Sequence, residues 1–192
     1  MLERYAEDPQ TTDALLPPAA FQPFPPASER CVWGSLPESY TSRVIHAASG
    51  YTDRQWPHIP PEIYLEFFRS GDRSTFQSYY HPRRAALGLL TLAECLRYDG
   101  ALIPDIVRVM FAICEESTWV LPAHISDGQP GGLPRPETAY FDITSARTAA
   151  DLAIAVSLLR PELDDYDPAI APRVEHELHR RIVVPYVEHD EF

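Results

Sequence analysis

The chain has 192 residues, 45% of them apolar, which suits one ordinary domain with a real core and is too little for two large ones. Sixteen basic against 28 acidic side chains give a formal net charge of -12, a balance that excludes the basic footprint needed for nucleic acid or an anionic membrane surface. No apolar run reaches the roughly 20 residues of a membrane span, and the polar start from Met1 to Gln10 does not read as a signal peptide. Cys31, Cys95 and Cys114 cannot all pair and lack metal-ligand spacing, so they are expected to be reduced thiols in a cytoplasmic protein. Every basic residue is arginine, and neither lysine nor asparagine occurs. Schiff-base, P-loop and lysine-base chemistry are thereby excluded from this chain, as is an asparagine donor to a developing negative charge.

Prolines are dense from Pro9 to Pro37, with Phe21, Phe24 and Trp33 among them. A proline-rich stretch without an apolar period reads as extended chain, so residues 1–32 are assigned to an extended segment whose aromatic residues lie on a body formed by residues 33–192. Helices are then predicted in order. Glu38 to Ser49 carries Tyr40, Val44, Ala47 and Ala48 and ends at Gly50. Pro61 to Ser70 places Ile63, Tyr64, Phe67 and Phe68 on one side and is capped by Gly71. The next helix begins near Pro82 and runs to about Tyr98, apolar on most sides, with Gly100 as its stop. Pro104 suits the first turn of a helix in which Ile103, Ile106, Val107, Met110, Phe111 and Cys114 follow helical spacing. Asp142 is a candidate N-cap for Ile143 to Leu159. Asp167-Pro168 opens a last helix with Val174, Leu178 and Ile182 four apart, bent or ended by Pro185. No strand is predicted, and the fold class is all-α, built of antiparallel helical hairpins. Between Trp119 and Phe141 lies a non-periodic stretch with four prolines and three glycines, expected to be an ordered loop.

The segment from Cys114 to His124, CEESTWVLPAH, resembles the CEES-x-W-x-LPAH signature of heparinase II/III-like proteins. The upstream stretch FFRSGDRSTFQSYYHPRRAALGLLTLAECLRYDG and the downstream stretches YFDITSARTAADLAIAVSLLRPELD and RVEHELHRRIVVPYVEHDEF resemble that family's neighbouring helices in order and spacing. The resemblance covers about Trp33 to Phe192. It implies an N-terminal incomplete α/α toroid and, for the family, polysaccharide lyases acting on uronic-acid polymers. It further implies that the chain is an N-terminal piece, because the family's Trp-rich and NNW-type motifs do not follow Phe192. The implied activity is therefore β-elimination by a larger protein, with this piece inactive alone. An unclosed toroid edge would be apolar and a surface for self-association.

Such a lyase needs a base, a proton donor for the leaving oxygen and a group that neutralises the uronate carboxylate. No catalytic residue is assigned within the chain. Trp119, His124, Tyr140 and Glu116 are the candidate substrate-binding residues. Trp119 is either a sugar-stacking platform or a core anchor, His124 either a sugar or carboxylate contact or a backbone-bonded loop residue, and Tyr140 either a sugar contact or a loop pin. Glu115 and Glu116 follow the carboxyl end of an apolar helix, where carboxylates oppose the macrodipole; at least one is expected to pair with Arg83, Arg84 or Arg147. Glu94, inside an apolar helix, is expected to form an ion pair; Arg83-Arg84 and Arg180-Arg181 could attract an anionic polymer, but structural pairing is expected of all four. His176 and His179 stand in an H-E-x-H pattern, not H-E-x-x-H, and without a third ligand no metal is assigned. No cofactor is called for. Alternative readings are a glycoside hydrolase on the same toroid, drawing on Glu115, Glu116 and Asp142, and a non-enzymatic helical module that binds sugar or a partner chain.

Overall fold

A computed structural model describes Asp13, Leu16, Pro17 and residues 20–125, 131–135, 138 and 140–188. Among these residues the fold is all-helical, with no strand. The elements are α1 (Arg30–Trp33), α2 (Glu38–Ser49), α3 (Pro61–Ser70), α4 (Ser74–Arg97), α5 (Ile103–Cys114), a 3-10 turn (Pro122–His124), α6 (Ile143–Tyr166), α7 (Ile170–Leu178), a π-turn (His179–Val183) and α8 (Val184–Glu188).

The long helix α4 is the hub and packs against α2, α3, α5 and α6. Its Ala86, Leu87, Leu90 and Ala93 meet Ile106, Val109, Met110 and Ile113 of α5 and Leu152, Ala155 and Leu159 of α6 in one core. Each of the leucine, isoleucine, valine and methionine side chains among them, withdrawn from water, contributes roughly 1.5–3 kcal/mol. A smaller cluster of Ile59, Tyr64, Phe76 and Tyr80 seats α3 against the first half of α4.

Several boundaries fall where the sequence puts them. α2, α3 and α5 match the predicted ranges, and Gly71 closes α3 in the left-handed conformation at φ 78°. α4 differs: it starts eight residues before Pro82. The Asp72 carboxylate accepts the backbone N–H groups of Ser74 and Thr75 at 3.0 Å each, so the helix is nucleated by a side-chain cap upstream of the proline. Its end is Tyr98, left-handed at φ 54°, with the Arg30 guanidinium stacked over its ring, and not Gly100. α6 runs past the predicted end at Leu159, which is instead a kink (φ -119°, ψ 19°) two residues before Pro161.

Glu94 is fully buried, and its partners are not arginine. Its carboxylate takes the backbone N–H of Gly100 at 2.8 Å and of Leu102 at 3.0 Å, capping the start of α5 from the neighbouring helix. The expected ion pair is replaced because a helix N-terminus, with its orphan donors, supplies the positive end directly.

The N-terminal segment is docked by its last residues. The Ala27 N–H donates to the Leu158 carbonyl at 2.8 Å, Trp33 donates to the Pro26 carbonyl at 3.0 Å, and Arg30 donates to the Cys95 and Leu96 carbonyls at the end of α4. Phe21 and Phe24 are 67% and 47% exposed, so of the three aromatics in this region only Trp33 packs on the body. No helix among the described residues is long and apolar enough to cross a membrane.

All three thiols are free. Burial, reinforced by Glu94, pushes Cys95 up to about 12, and burial with Glu177 does the same to Cys114, whereas Cys31 is exposed. A thiol reagent should therefore label Cys31 rapidly in the native protein and reach Cys95 and Cys114 only after denaturant is added. Rapid native labelling of a second thiol would contradict the packing of α4 against α5.

Candidate functional site

The site is built from the turn that follows α5. There Glu116 leaves the helix end and enters the protein between α4 and α6. Its Oε1 accepts from Arg83 and from Arg84, and its Oε2 from a second Arg84 nitrogen, all at 2.6 Å. The side chains of Glu116, Arg83 and Arg84 are 1%, 3% and 9% exposed. Each arginine makes a further bond: Arg83 to the Pro57 carbonyl at 2.6 Å, Arg84 to the Thr148 hydroxyl at 3.2 Å. Arg84 also lies over the Tyr80 ring, 3.5 Å from its centre, and the Tyr80 hydroxyl donates to the Trp119 carbonyl at 3.0 Å. The expected carboxylate–arginine pairing is thus made by Glu116, with both Arg83 and Arg84. Arg147 pairs with Asp151 instead. Glu115 is exposed.

The carboxyl end of α5 receives its cation from elsewhere in the chain. Arg181 donates to the carbonyls of Cys114 at 3.1 Å and Glu116 at 2.7 Å, and its guanidinium stands 4.9 Å from the centre of the Trp119 ring. Arg181 reaches this position from the π-turn, where the Val184 N–H bonds the His179 carbonyl five residues back. Pro185 explains the widening: it has no N–H for the Arg181 carbonyl, so the regular ladder cannot continue. Arg180 and Arg181, adjacent in sequence, then line the same cavity.

That cavity holds about 250 Å³. Arg180, Arg181 and Pro185 form one wall and Arg135, Thr138 and Tyr140 of the long loop another. Ser117, Thr118, Trp119 and Ser145 complete it. Among the described residues the lining therefore has three guanidinium groups, a phenol and several hydroxyls, and no carboxylate. Glu177 stands behind the wall, its Oε2 accepting from Arg180 at 2.6 Å and Arg181 at 2.7 Å, while its Oε1 lies 3.5 Å from Arg173. Among the described residues one carboxylate thus serves three arginines, in a chain whose formal charge is -12. Burial pushes Glu177 up, but the hydrogen bonds from Arg181 and Arg180 outweigh it and hold its carboxyl below the ordinary 4.5.

Of the sequence candidates, Trp119 and Tyr140 line this cavity. Trp119 is 1% exposed and donates its indole N–H to the Ile113 carbonyl at 2.8 Å, so it is a core anchor that gives the cavity a wall and not an open stacking face. Tyr140 is half-buried, and its hydroxyl oxygen accepts from the Arg135 backbone N–H at 3.3 Å. Glu116 braces the cavity from behind and offers no oxygen to it. His124 is not among the lining residues; its Nδ1 is hydrogen-bonded to the Asp142 carboxylate. Asp142 caps α6 in a capping box with Ser145. Burial raises Asp142, but hydrogen bonds from His124, the Ser145 N–H and Thr144 prevail and leave it below its usual value. Glu115, Glu116 and Asp142 therefore serve separate places and do not form a facing carboxylate pair. Arg135 is not singled out by the sequence reading, and for Arg180 and Arg181 that reading favours structural pairing over attraction of an anionic polymer. The signal for the latter two is the proline four residues after Arg181. Among the described residues, no three His, Cys, Asp or Glu side chains cluster in a way that could hold a metal ion.

No model of a known protein family matches the chain, and no curated protein matches it either.

Removing the Glu116 charge leaves two buried guanidinium groups facing each other. Glu116→Gln should lower stability by about 3–5 kcal/mol, readable by chemical denaturation; a loss within about 0.5 kcal/mol, the range of ordinary surface substitutions, would contradict the network. A carboxyl whose pKa is lower folded than unfolded stabilises the fold above its unfolded value, and that contribution disappears as pH falls through the folded value. Glu177 and Asp142, with unfolded values of 4.5 and 3.8, should thus make the melting temperature flat towards neutral pH and falling below about pH 4.5. Glu177→Gln should reduce that acid slope, and an unchanged slope would contradict the assignment.

Proposed function

We propose that the chain is the helical, substrate-gripping part of a heparinase II/III-like polysaccharide lyase, its hairpins forming part of an incomplete α/α toroid. In this reading the cavity lined by Arg135, Arg180 and Arg181 holds the carboxylate of a uronic-acid residue. The observation that carries the reading is that three guanidinium groups line one cavity, with no carboxylate among the described lining residues, in an otherwise acidic protein. Arg180, with one terminal nitrogen held by Glu177, has guanidinium donors left for a carboxylate, Arg181 adds positive charge beside it, and the neighbouring hydroxyls suit the ring oxygens of a sugar. β-Elimination at a uronate requires that charge spreading onto the carboxylate be neutralised as the α-proton leaves, and arginines already held by Glu177 can do this without reorganising.

The same lining supports gripping over turnover. Among the described lining residues there is no histidine or carboxylate to take the α-proton, and the hydroxyl oxygen of Tyr140 accepts from the Arg135 backbone N–H. His124 with Asp142 forms a separate, partly exposed pair outside the cavity. On this reading the exposed Ile143, Val183 and Val187 belong to the apolar edge that an unclosed ring presents for self-association.

Titration with a panel of uronate disaccharides and their neutral counterparts tests the proposal. A uronate should bind, its neutral counterpart should bind at least about tenfold more weakly, and Arg180→Gln should weaken uronate binding by about tenfold, the weight of one charge-assisted hydrogen bond. No absorbance from a new conjugated double bond should develop with this chain alone. Equal binding of acidic and neutral sugars, or binding indifferent to Arg180→Gln, would contradict the reading.

A further inference from the structure

Arg135, Thr138 and Tyr140 line the Arg180–Arg181 cavity from outside any helix. The loop that bears them meets α3 at two places. At its entry the Pro122–His124 turn packs on α3. Farther on, Gly132 is buried against the Phe68 ring. A side-chain carbon on Gly132 would stand 2.6 Å from Phe68 Cγ and closer still to Cδ2, well inside the roughly 3.5–4.0 Å of a carbon–carbon contact. Cγ lies on the axis about which the ring turns, so rotating the ring leaves that overlap in place. Phe67 braces the ring from another side, edge-on at 82° with centres 5.4 Å apart. The backbone makes no demand for glycine at this position: φ is positive at Gly131 (111°) and not at Gly132. Glycine at 132 therefore answers to the closeness of Phe68. Arg135 follows three residues on, about 10 Å of extended chain at most. Its N–H is bonded to the Tyr140 hydroxyl at 3.3 Å, and its side chain lines the cavity. No residue of α3 is among the described lining residues.

We propose that Gly132 and Phe68 are positioning residues of that cavity: their close approach seats the loop on α3 and sets where the Arg135 wall stands relative to Arg180 and Arg181. This role rests on the reading of the cavity as a uronate site. A wall pushed off α3 takes Arg135 away from the ligand and leaves Arg180 and Arg181 on Glu177. The grip then weakens while the preference for an acidic over a neutral sugar persists. α3, which touches no ligand, decides the spacing between the two walls.

The test uses the full chain and two readouts. Without ligand, amide hydrogen exchange at Arg135 reports whether its bond to Tyr140 is kept. Gly132→Ala should speed that exchange by about fivefold, the weight of one hydrogen bond, with the amides of α4 and α5 unchanged. Phe68→Ala removes Cγ together with the ring, so the double variant Gly132→Ala/Phe68→Ala should exchange no faster at Arg135 than Phe68→Ala alone. With a uronate disaccharide, Gly132→Ala should weaken binding by about tenfold, the weight of one charge-assisted hydrogen bond, and the double variant should bind as Phe68→Ala does. Losses that simply add in the double variant, or an Arg135 amide indifferent to Gly132→Ala, overturn the proposal; uronate binding by the unaltered chain then leaves the reading of the cavity intact. Faster exchange throughout α4 and α5 in Gly132→Ala would make the contact a support of the whole fold and overturn it too. Exchange that responds and recovers as stated, in a chain that binds no uronate, upholds the positioning by Phe68 and overturns the uronate reading.

Discussion

The placement of Glu116 between Arg83 and Arg84 is the constraint on which the rest depends. Burying three charges carries a large desolvation cost, offset only where geometry and further hydrogen bonds are good. Here both carboxylate oxygens are taken, and further guanidinium donors end on Pro57 and Thr148. The contacts join α4 to the turn after α5, to α6 and to the connection ahead of α3. A replacement by apolar side chains would keep the packing but lose the direction in which that turn leaves the helix. With the turn fixed, Trp119 drops into the core, its carbonyl meets Tyr80, and its ring gives Arg181 a surface to lie on. The cavity wall is therefore set from beneath by a network that does not itself face the ligand.

Electrostatic contrast gives the cavity its chemistry. A chain of charge -12 repels anions at long range, and screening limits that repulsion to about 8 Å at physiological salt. Within that range the cavity presents arginines with a single shared carboxylate, Glu177, behind them. Because the chain has no lysine, each of its cations is a planar fork with fixed donor geometry, not a point charge on a flexible stem. Glu177 anchors Arg180 and Arg181 without neutralising both, and the π-turn turns the two side chains to one side. Rigidity and residual charge come from the same contacts.

Much of the fold was legible in local pattern. The i, i+3, i+4 spacing of Ile103 to Cys114 and the Gly71 cap fix α5 and the end of α3 without tertiary help. Two boundaries were not legible. Pro82 looks like a helix start but sits inside α4, because Asp72 caps a helix that begins eight residues before the proline and burial of Phe76 and Tyr80 holds the first turns. The predicted end of α6 at Leu159 is a bend, and the helix continues through Pro161 onto buried Leu163. The partner of Glu94 was invisible for a different reason: backbone N–H groups carry no sequence signature. The pairing of Glu116 with arginine followed from the helix dipole alone. The cavity did not, since Arg135 and Arg181 are brought together only by the docking of a long loop against a π-turn. Trp119 and Tyr140 were found from their place in the signature and at the loop's edge, while His124 was tied to Asp142 by the same loop geometry.

The most direct measurement is a crystal structure of the chain soaked with a uronate disaccharide. The account predicts the sugar carboxylate seated on the guanidinium groups of Arg180 and Arg181, with Glu177 behind them and the Glu116 network unchanged. A carboxylate bound away from both arginines, or a cavity wall that separates when Glu116 keeps its partners, would contradict it.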